Sequence, residues 1–372
     1  LQSCARKVDT VARLGGDEFV ILLENFDNSN NPVIVAQRIS EELLKPSQVL
    51  RTKFYLTASI GIVYNNPVYT TANALLRDAD IAMYQAKDAG RAKYEIFDSQ
   101  MGQEVKERIE MERELVQAIQ NNNFRLTYQP IVSLQTGELI SLEALIRWHH
   151  PQRGIIQPDD FIPIAEESGL ILEIGNWVLE EACKQIKIWD QSFPQAKQLS
   201  MSVNISGKQI ASPDFCNFLI RTLQETNLEA NRLHLEITEN TIVEDVEQTL
   251  LTVTEISTLG VELHLDDFGT GYSSIAYLHR FPIKALKIDK SFIDRLLDKN
   301  KGQALVGGII HLANLLDLDV VAEGIEYSDQ LALLKELKCG LGQGFYAAKP
   351  MYKEDMELLF SNGKNIFERN KG

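Results

Sequence analysis

The sequence predicts an α/β protein, a (β/α)8-type barrel over most of the chain preceded by a smaller α+β segment. Two observations carry the barrel. From Phe124 onward, short apolar or alternating runs recur, most with roughly 20 to 35 residues between them, room for a strand and a returning helix. Each run also closes on a carboxylate, an amide or a lysine. A third observation sets the front apart: its first hundred or so residues alternate strand-like and helix-like patterns without that register.

In the front segment, VARLGGDEFVILLENF reads as two apolar strands joined at a Gly-Gly-Asp hairpin turn. PVIVAQRISEELLKP follows as a helix with Pro32 near its start. FYLTASIGIVYNN alternates like a strand, and ALLRDADIAMYQAKDAGRAKY reads as an amphipathic helix ending near Gly90. The charged stretch from Met101 to Asn122 keeps apolar residues at helical spacing and has no Gly or Pro after Gly102. It reads as a connecting helix, so the expected division is 1–98, a linker helix 99–122, and a barrel 123–365.

The barrel runs are LISLEALIRW with Glu143, LSMSVNIS with Asn204, RLHLEITEN with Glu236 and VELHLDDFG with Asp266. They continue with ALKIDKSF and Lys287, LDVVAEGIE and Glu323, and CGLGQGF and Gln343. Helical patterns lie between them, as in EQTLLTVTEISTLG and GQALVGGIIHLANLLD. In a (β/α)8 barrel the active site is assembled from the strands' C-terminal ends. Periodicity alone leaves an open doubly wound sheet as the alternative.

Composition bounds the chemistry. The chain has 372 residues, 44% apolar and 24% charged, which is the globular class with enough apolar residues for a core. A formal net charge of −15 argues against a broad surface for nucleic-acid polymers, while a small anionic ligand remains compatible if metals or local basic residues supply positive charge. Cys4, Cys183, Cys216 and Cys339 are scattered with no CxxC pair, which reads as a reduced cytoplasmic chain. No apolar run approaches the roughly 18 residues needed to span a bilayer, and no signal peptide is evident. The chain begins at Leu1 without a Met, so these readings apply to this fragment, and the parent has room for an upstream sensor or membrane region.

A lone strand-end acid reads most simply as a turn or cap residue. Brought to one face, however, Glu143, Asn204, Glu236, Asp266, Asp267 and Glu323 form a cluster of five carboxylates and an amide with no compensating cluster of arginines. Packed like charges need cations, and hard oxygen donors favour Mg²⁺ or Mn²⁺ over zinc. Such a site suits hydrolysis of a phosphodiester. Lys287 could orient water or neutralise transition-state charge, with Asp289 on the same side of an alternating strand. Asp266 and Asp267 are adjacent, so on a regular strand they would face opposite ways; both reach one site only if the strand has already ended.

At these residues the chain resembles the EAL family of cyclic-di-GMP phosphodiesterases. The motifs span roughly 120–360: EALIRW, FIPIAEESGLI, VNIS, LEITE, LDDFGTGYSS, LKIDKSF, AEGIE and QGF. The resemblance implies a TIM-like (β/α)8 barrel of EAL type that opens cyclic-di-GMP to linear pGpG with two divalent ions, Mg²⁺ or Mn²⁺. Glu143, Asn204, Glu236 and Asp266 would hold one ion, and Asp266, Asp267 and Glu323 the other, with Lys287 activating water. Glu239 would brace the loop Asp267–Ser274, while Gln129, Arg147, Asp289 and Gln343 would line the substrate and metal pocket. Lys284 stands where the family usually has Asp. A homodimer is also implied. A catalytically silent receptor for cyclic-di-GMP is the alternative function.

The front segment resembles the C-terminal part of a GGDEF diguanylate cyclase domain, through ARLGGDEF, SIGI and ADIAMYQAK. That resemblance implies Gly15 and Gly16 against a GTP phosphate, Asp17 and Glu18 near metal and the reacting hydroxyl, and Phe19 closing the motif. Arg6 and Asp9 resemble the family's RxxD inhibitory site. The domain's first half is missing from this stretch, so no cyclisation of GTP is expected from it, and the segment is read as regulatory or inactive.

Overall fold

A computed structural model describes residues 1–24, 31–49, 52–270, 278–298, 301–361 and 366–369. They fall into two compact units, Leu1–Met111 and Glu112–Gly372.

In the first unit, strands β1 (Thr10–Gly15) and β2 (Glu18–Leu22) form an antiparallel hairpin that pairs Gly15 with Glu18. Gly16 turns the chain at φ +50°, a left-handed conformation open to glycine at no steric cost. Helix α1 (Asn31–Leu43) follows, then a short hairpin of β3 (Ser47–Val49) and β4 (Thr52–Phe54). Strand β5 (Ile60–Ile62) pairs in parallel with β6 (Tyr94–Ile96) across helix α2 (Ala72–Asp88), whose N-cap Thr71 accepts the Ala74 N–H. The single strand expected over FYLTASIGIVYNN is therefore two. Residues 55–59 between them find no strand partner among the described residues, and an unpaired strand is not stable alone. Buried Cys4, Val35 and Ile39 form the core here, with Leu1, Ile21, Leu23, Leu43 and Ile60 packed against them. Helix α3 spans Ser99–Gln120, and Asn122, two residues past its end, takes φ +53°.

In the second unit, eight strands close a barrel. They are β7 (Phe124–Ser133), β8 (Leu139–His150), β10 (Ser200–Asn204), β11 (Leu233–Thr238), β12 (Glu262–Phe268), β13 (Ile283–Ile288), β14 (Asp319–Ala322) and β15 (Leu341–Gly342), with β9 (Gly154–Ile156) an outer extension of β8. From β10 to β15 every neighbouring pair is parallel, and closure comes from β8, which pairs with β10 on one side and β7 on the other. These parallel strands are buried on both faces, which is why they read as near-continuous apolar runs.

Two expectations are corrected. The strand–helix repeat does not begin at the first strand: β7 is antiparallel to both β8 and β15. Only residues 134–138 separate β7 from β8, enough for a hairpin and too few for a crossover helix. Glu143, expected at a strand's end, instead lies in the middle of β8. The reason is that β8 overshoots the barrel wall. Its parallel pairing with β10 covers only Ser141–Ala144, and beyond that it continues outward to meet β9.

Outside the barrel, helix Ile171–Ser192 buries Ile174, Val178, Leu179, Ala182, Ile186 and Trp189 at helical spacing. Trp189 meets the Tyr128 ring edge-on at 4.8 Å. No helix among the described residues is long and apolar enough to cross a membrane.

Candidate active site

Lys287 is the centre of the barrel mouth. It is fully buried on β13, and its Nζ lies 2.6 Å from Glu236 Oε2, 2.7 Å from Glu323 Oε1, and 3.4 Å from both Glu143 Oε2 and Asp266 Oδ1. Three strands, and the residue just beyond a fourth, thus point acids at one ammonium. Asn204 donates its amide N–H to Glu143 Oε1 at 2.8 Å. Gln343 donates to Glu143 Oε2 at 2.7 Å and to Glu323 Oε1 at 2.8 Å. The residues from β8, β10, β11, β12 and β13, and from just beyond β14 and β15, are brought into one network.

Asp266 and Asp267 reach the same site by a device other than a strand end. Strand β12 continues to Phe268, but Leu265 pairs with Leu286 and Phe268 with Ile288, so β12 carries one extra residue there. This is a β-bulge, and Asp267 occupies it at φ +54°, a left-handed position that Asp tolerates better than most residues. Its N–H donates back to Asp266 Oδ1 at 2.9 Å. Carboxylate oxygens of Asp266, Asp267 and Glu323 consequently lie within 4.8 Å of one another.

The other expected residues surround this network. Glu239, buried at the start of helix Glu239–Glu244, accepts the Gly269 N–H through Oε2 at 3.3 Å. Gly269 takes φ +96°, and a Cβ there would sit 2.7 Å from the Phe292 ring. Thr270 turns the chain back, its hydroxyl donating to the Asp267 carbonyl at 2.9 Å. Residues 271–274 of the expected loop lie outside the described residues. Gln129 pairs in register with Glu143 across β7 and β8, and its Nε2 donates to the Ala348 carbonyl. Arg147 lies further along β8 on the Glu143 face, half-buried, and burial lowers its pKa. Asp289 does not share the strand with Lys287 as expected: β13 ends at Ile288, and Asp289 caps helix Lys290–Asp294 by accepting the Ser291 N–H at 3.0 Å.

Electrostatics sort these acids. Burial alone would lower the Lys287 pKa, but the carboxylates of Asp266, Glu143, Glu236 and Glu323 hold it well above the usual lysine range. Lys287 is therefore an ammonium. Glu143 is held below its ordinary value despite burial, because Lys287, Gln343 and Asn204 all donate to it. Glu236 goes the other way, well above the ordinary value, under burial and the repulsion of Glu143 and Asp266. Its Oε2 has Lys287, but its buried Oε1 has no partner among the described residues. Burial and like charges also push Glu323 up to about 8, and raise Asp267. Without added cations the cluster carries more carboxylates than it can keep ionised.

In the first unit, Gly15 and Gly16 form the hairpin tip with Asp17 and Glu18 exposed beside it. The Arg13 Nε donates to the Gly16 carbonyl at 2.9 Å, and its guanidinium lies over the Phe19 ring. The Asp9 carboxylate accepts the backbone N–H groups of Arg6, at 2.7 Å, and Glu24, at 3.3 Å.

One group escaped sequence reading. His234, Glu262 and His264 gather in the same barrel, with ligand atoms within 4.8 Å of one another. The signal was the two-residue spacing in LHLE and ELHLDD, which sets His234 on the Glu236 face and Glu262 and His264 on the Asp266 face.

A closed barrel with a carboxylate–lysine cluster built from successive strands defines an α/β-barrel of the EAL class. The EAL domain family profile matches residues 112–350, and the chain belongs to that family. Residues 1–93 match the diguanylate cyclase GGDEF domain family. The chain is 39% identical over 356 residues to the bifunctional diguanylate cyclase/cyclic di-GMP phosphodiesterase MucR of Pseudomonas aeruginosa, covering 96% of this chain and 52% of MucR. It is 39% identical over 349 residues to the cyclic di-GMP phosphodiesterase PdeR of Escherichia coli, covering 94% of this chain and 52% of PdeR. The chain therefore spans about half the length of these curated relatives. Among solved structures, the MucR phosphodiesterase in complex with c-di-GMP superposes with a TM-score of 0.64 at 40% identity, covering 66% of this chain and 99% of that one. The EAL enzyme Bd1971, bound to cAMP and cyclic-di-GMP, gives 0.65 at 36% identity, covering 70% and 71%.

Proposed function

We propose that this chain hydrolyses cyclic-di-GMP to linear pGpG in a reaction that depends on divalent cations. The observation that carries the reading is the set of four carboxylates facing a single buried ammonium, with a fifth, Asp267, grouped beside two of them and the Glu236 Oε1 atom left without a partner among the described residues. The donors fit hard cations: they are carboxylate oxygens and one amide, with no thiolate or imidazole among them. Glu143, Asn204, Glu236 and Asp266 would hold one ion, and Asp266, Asp267 and Glu323 the other. Asn204 spends its N–H on Glu143, which leaves its carbonyl oxygen for an ion. Ions bound there supply a lowered pKa for water and charge neutralisation at a phosphoryl group.

The chain's own residues do the rest. Lys287, held as an ammonium, donates: it orients the attacking water and faces the charge that develops on phosphorus oxygens. Its surroundings favour the charged form. Gln343 fixes the orientation of Glu143 and Glu323 by donating to both. Glu239 holds the start of the loop after Asp267 through the Gly269 N–H. Arg147 supplies a half-buried cation on the substrate side of Glu143, suited to the dinucleotide's second phosphate. Gln129 and Asp289 complete the pocket wall.

The test is incubation with cyclic-di-GMP and Mg²⁺, followed by chromatography. The reading expects pGpG from the wild type and a loss of roughly 100-fold or more with Glu143→Ala. Tight binding without product, with wild type and Glu143→Ala indistinguishable, would make the chain a silent receptor instead. We further propose that the GGDEF-like part, residues 1–98, is regulatory through GTP, that residues 99–122 link it to an EAL domain over 123–365, and that the chain works in the cytoplasm as a homodimer. Addition of GTP that leaves the hydrolysis rate unchanged would count against that regulation.

A further inference from the structure

Beneath the carboxylate layer, His234 on β11 pairs in register with Glu262 on β12, and Glu236 with His264. The two-residue spacing therefore places His234 and His264 one step, and Glu262 two steps, down the same faces that carry Glu236 and Asp266. The Nε2 atoms of His234 and His264 lie 3.4 and 3.9 Å from a single oxygen, Glu262 Oε2. At that separation neither closes a hydrogen bond of normal length. The two rings tilt at 41° with centroids 4.3 Å apart. They are only 9% and 6% exposed, yet the Nδ1 atom of each has no hydrogen-bond partner among the described residues. Ser202, the Cα partner of His234 on β10, also leaves a fully buried hydroxyl without a partner among the described residues.

A histidine that serves only as core usually has its ring nitrogens bonded, because a buried unpaired polar atom costs about 1–3 kcal/mol. Here both imidazoles turn to one carboxylate oxygen at more than ordinary hydrogen-bond length, and each keeps its other ring nitrogen unpaired among the described residues. We infer that His234, Glu262 and His264 form a metal site separate from the carboxylate cluster, suited to a borderline transition ion such as Zn²⁺. Two imidazoles and a carboxylate are a recurrent zinc donor set, and bonds of about 2.0–2.2 Å in tetrahedral geometry set donor spacings near 3.4 Å. The His234–Glu262 edge already has that length, and the His264 edge needs only a small closure. Its chemistry also differs from that of the site above. Imidazole selects against Mg²⁺, whereas the all-oxygen donors around Lys287 favour it.

The test uses the whole chain, stripped with chelator, refilled with saturating Mg²⁺, and then titrated with Zn²⁺ against a chromophoric chelator. The expectation is a single Zn²⁺ that excess Mg²⁺ does not displace. Glu262→Gln and His264→Gln should each weaken that binding by roughly tenfold or more. Glu262 is partly exposed, so Glu262→Gln keeps the test usable if His264→Gln fails to fold. With Co²⁺ as an optical probe, the wild type should gain visible absorption of a nitrogen-ligated ion that both variants lose. Zn²⁺ binding equal in wild type and both variants, or no binding that survives Mg²⁺, would overturn the inference.

Discussion

Removing the Lys287 side chain would leave Glu143, Glu236, Asp266 and Glu323 facing one another with no positive partner. Breaking a buried ion network in this way costs about 3–5 kcal/mol. Lys287→Ala should therefore melt well below the wild type in chelator, with much of the difference recovered in Mg²⁺. Because the ammonium's proposed role is in the transition state, the same variant should lose kcat far more than it raises KM. Equal losses in both would make Lys287 a substrate clamp. Glu323 gives a pH prediction of definite sign. Burial and its like-charged neighbours lift its folded value to about 8 from an ordinary 4.5. Between those values the native state holds a proton that the unfolded chain has released, so stability falls as pH rises. Glu236 and Asp267 are shifted the same way; Glu143 titrates below this window and Lys287 above it. Metal-free protein should lose melting temperature from about pH 5 to about pH 8, and saturating Mg²⁺ should remove that slope. A flat profile in chelator would contradict the electrostatic picture.

The bulge in β12 is the local element that decides what two adjacent aspartates can do. Sequence reading found both residues and their destination, because the apolar run and the acids are local signals. It did not find the bulge, because the extra residue is defined only against the register of β13. The same is true of β7 and Glu143. That β8 overshoots the barrel depends on its partners β7, β9 and β10, none of which the run itself encodes. Asp289 was misplaced by assuming that a strand persists two residues past Lys287, where a helix cap intervenes. Asp267→Asn tests the bulge, since Asn tolerates the left-handed conformation and removes only the charge. The variant should melt at or above the wild type in chelator, because repulsion from Asp266 is relieved, yet hydrolyse more slowly in Mg²⁺. Gly269→Val should instead destabilise by about 1–3 kcal/mol, through its positive φ and contact with the Phe292 ring, and weaken Mn²⁺ binding in calorimetry.

At the scale of the whole molecule, closure of eight strands assembles a site from residues that span Glu143 to Gln343 in sequence. The barrel class was legible because polar residues recurred in register at strand–helix intervals, a pattern that survives local errors. The histidine cluster was not, because its members sit one or two steps lower on the strands and resemble ordinary alternation within a strand. We propose that the carboxylate excess at the barrel mouth serves divalent cations that drive phosphodiester hydrolysis. The most direct measurement is the initial rate of pGpG release from cyclic-di-GMP by chelated protein, before and after Mg²⁺ or Mn²⁺ is restored. The account predicts no product in chelator and full recovery with either ion. Product formed equally well in chelator, or none after both ions are restored, would contradict it.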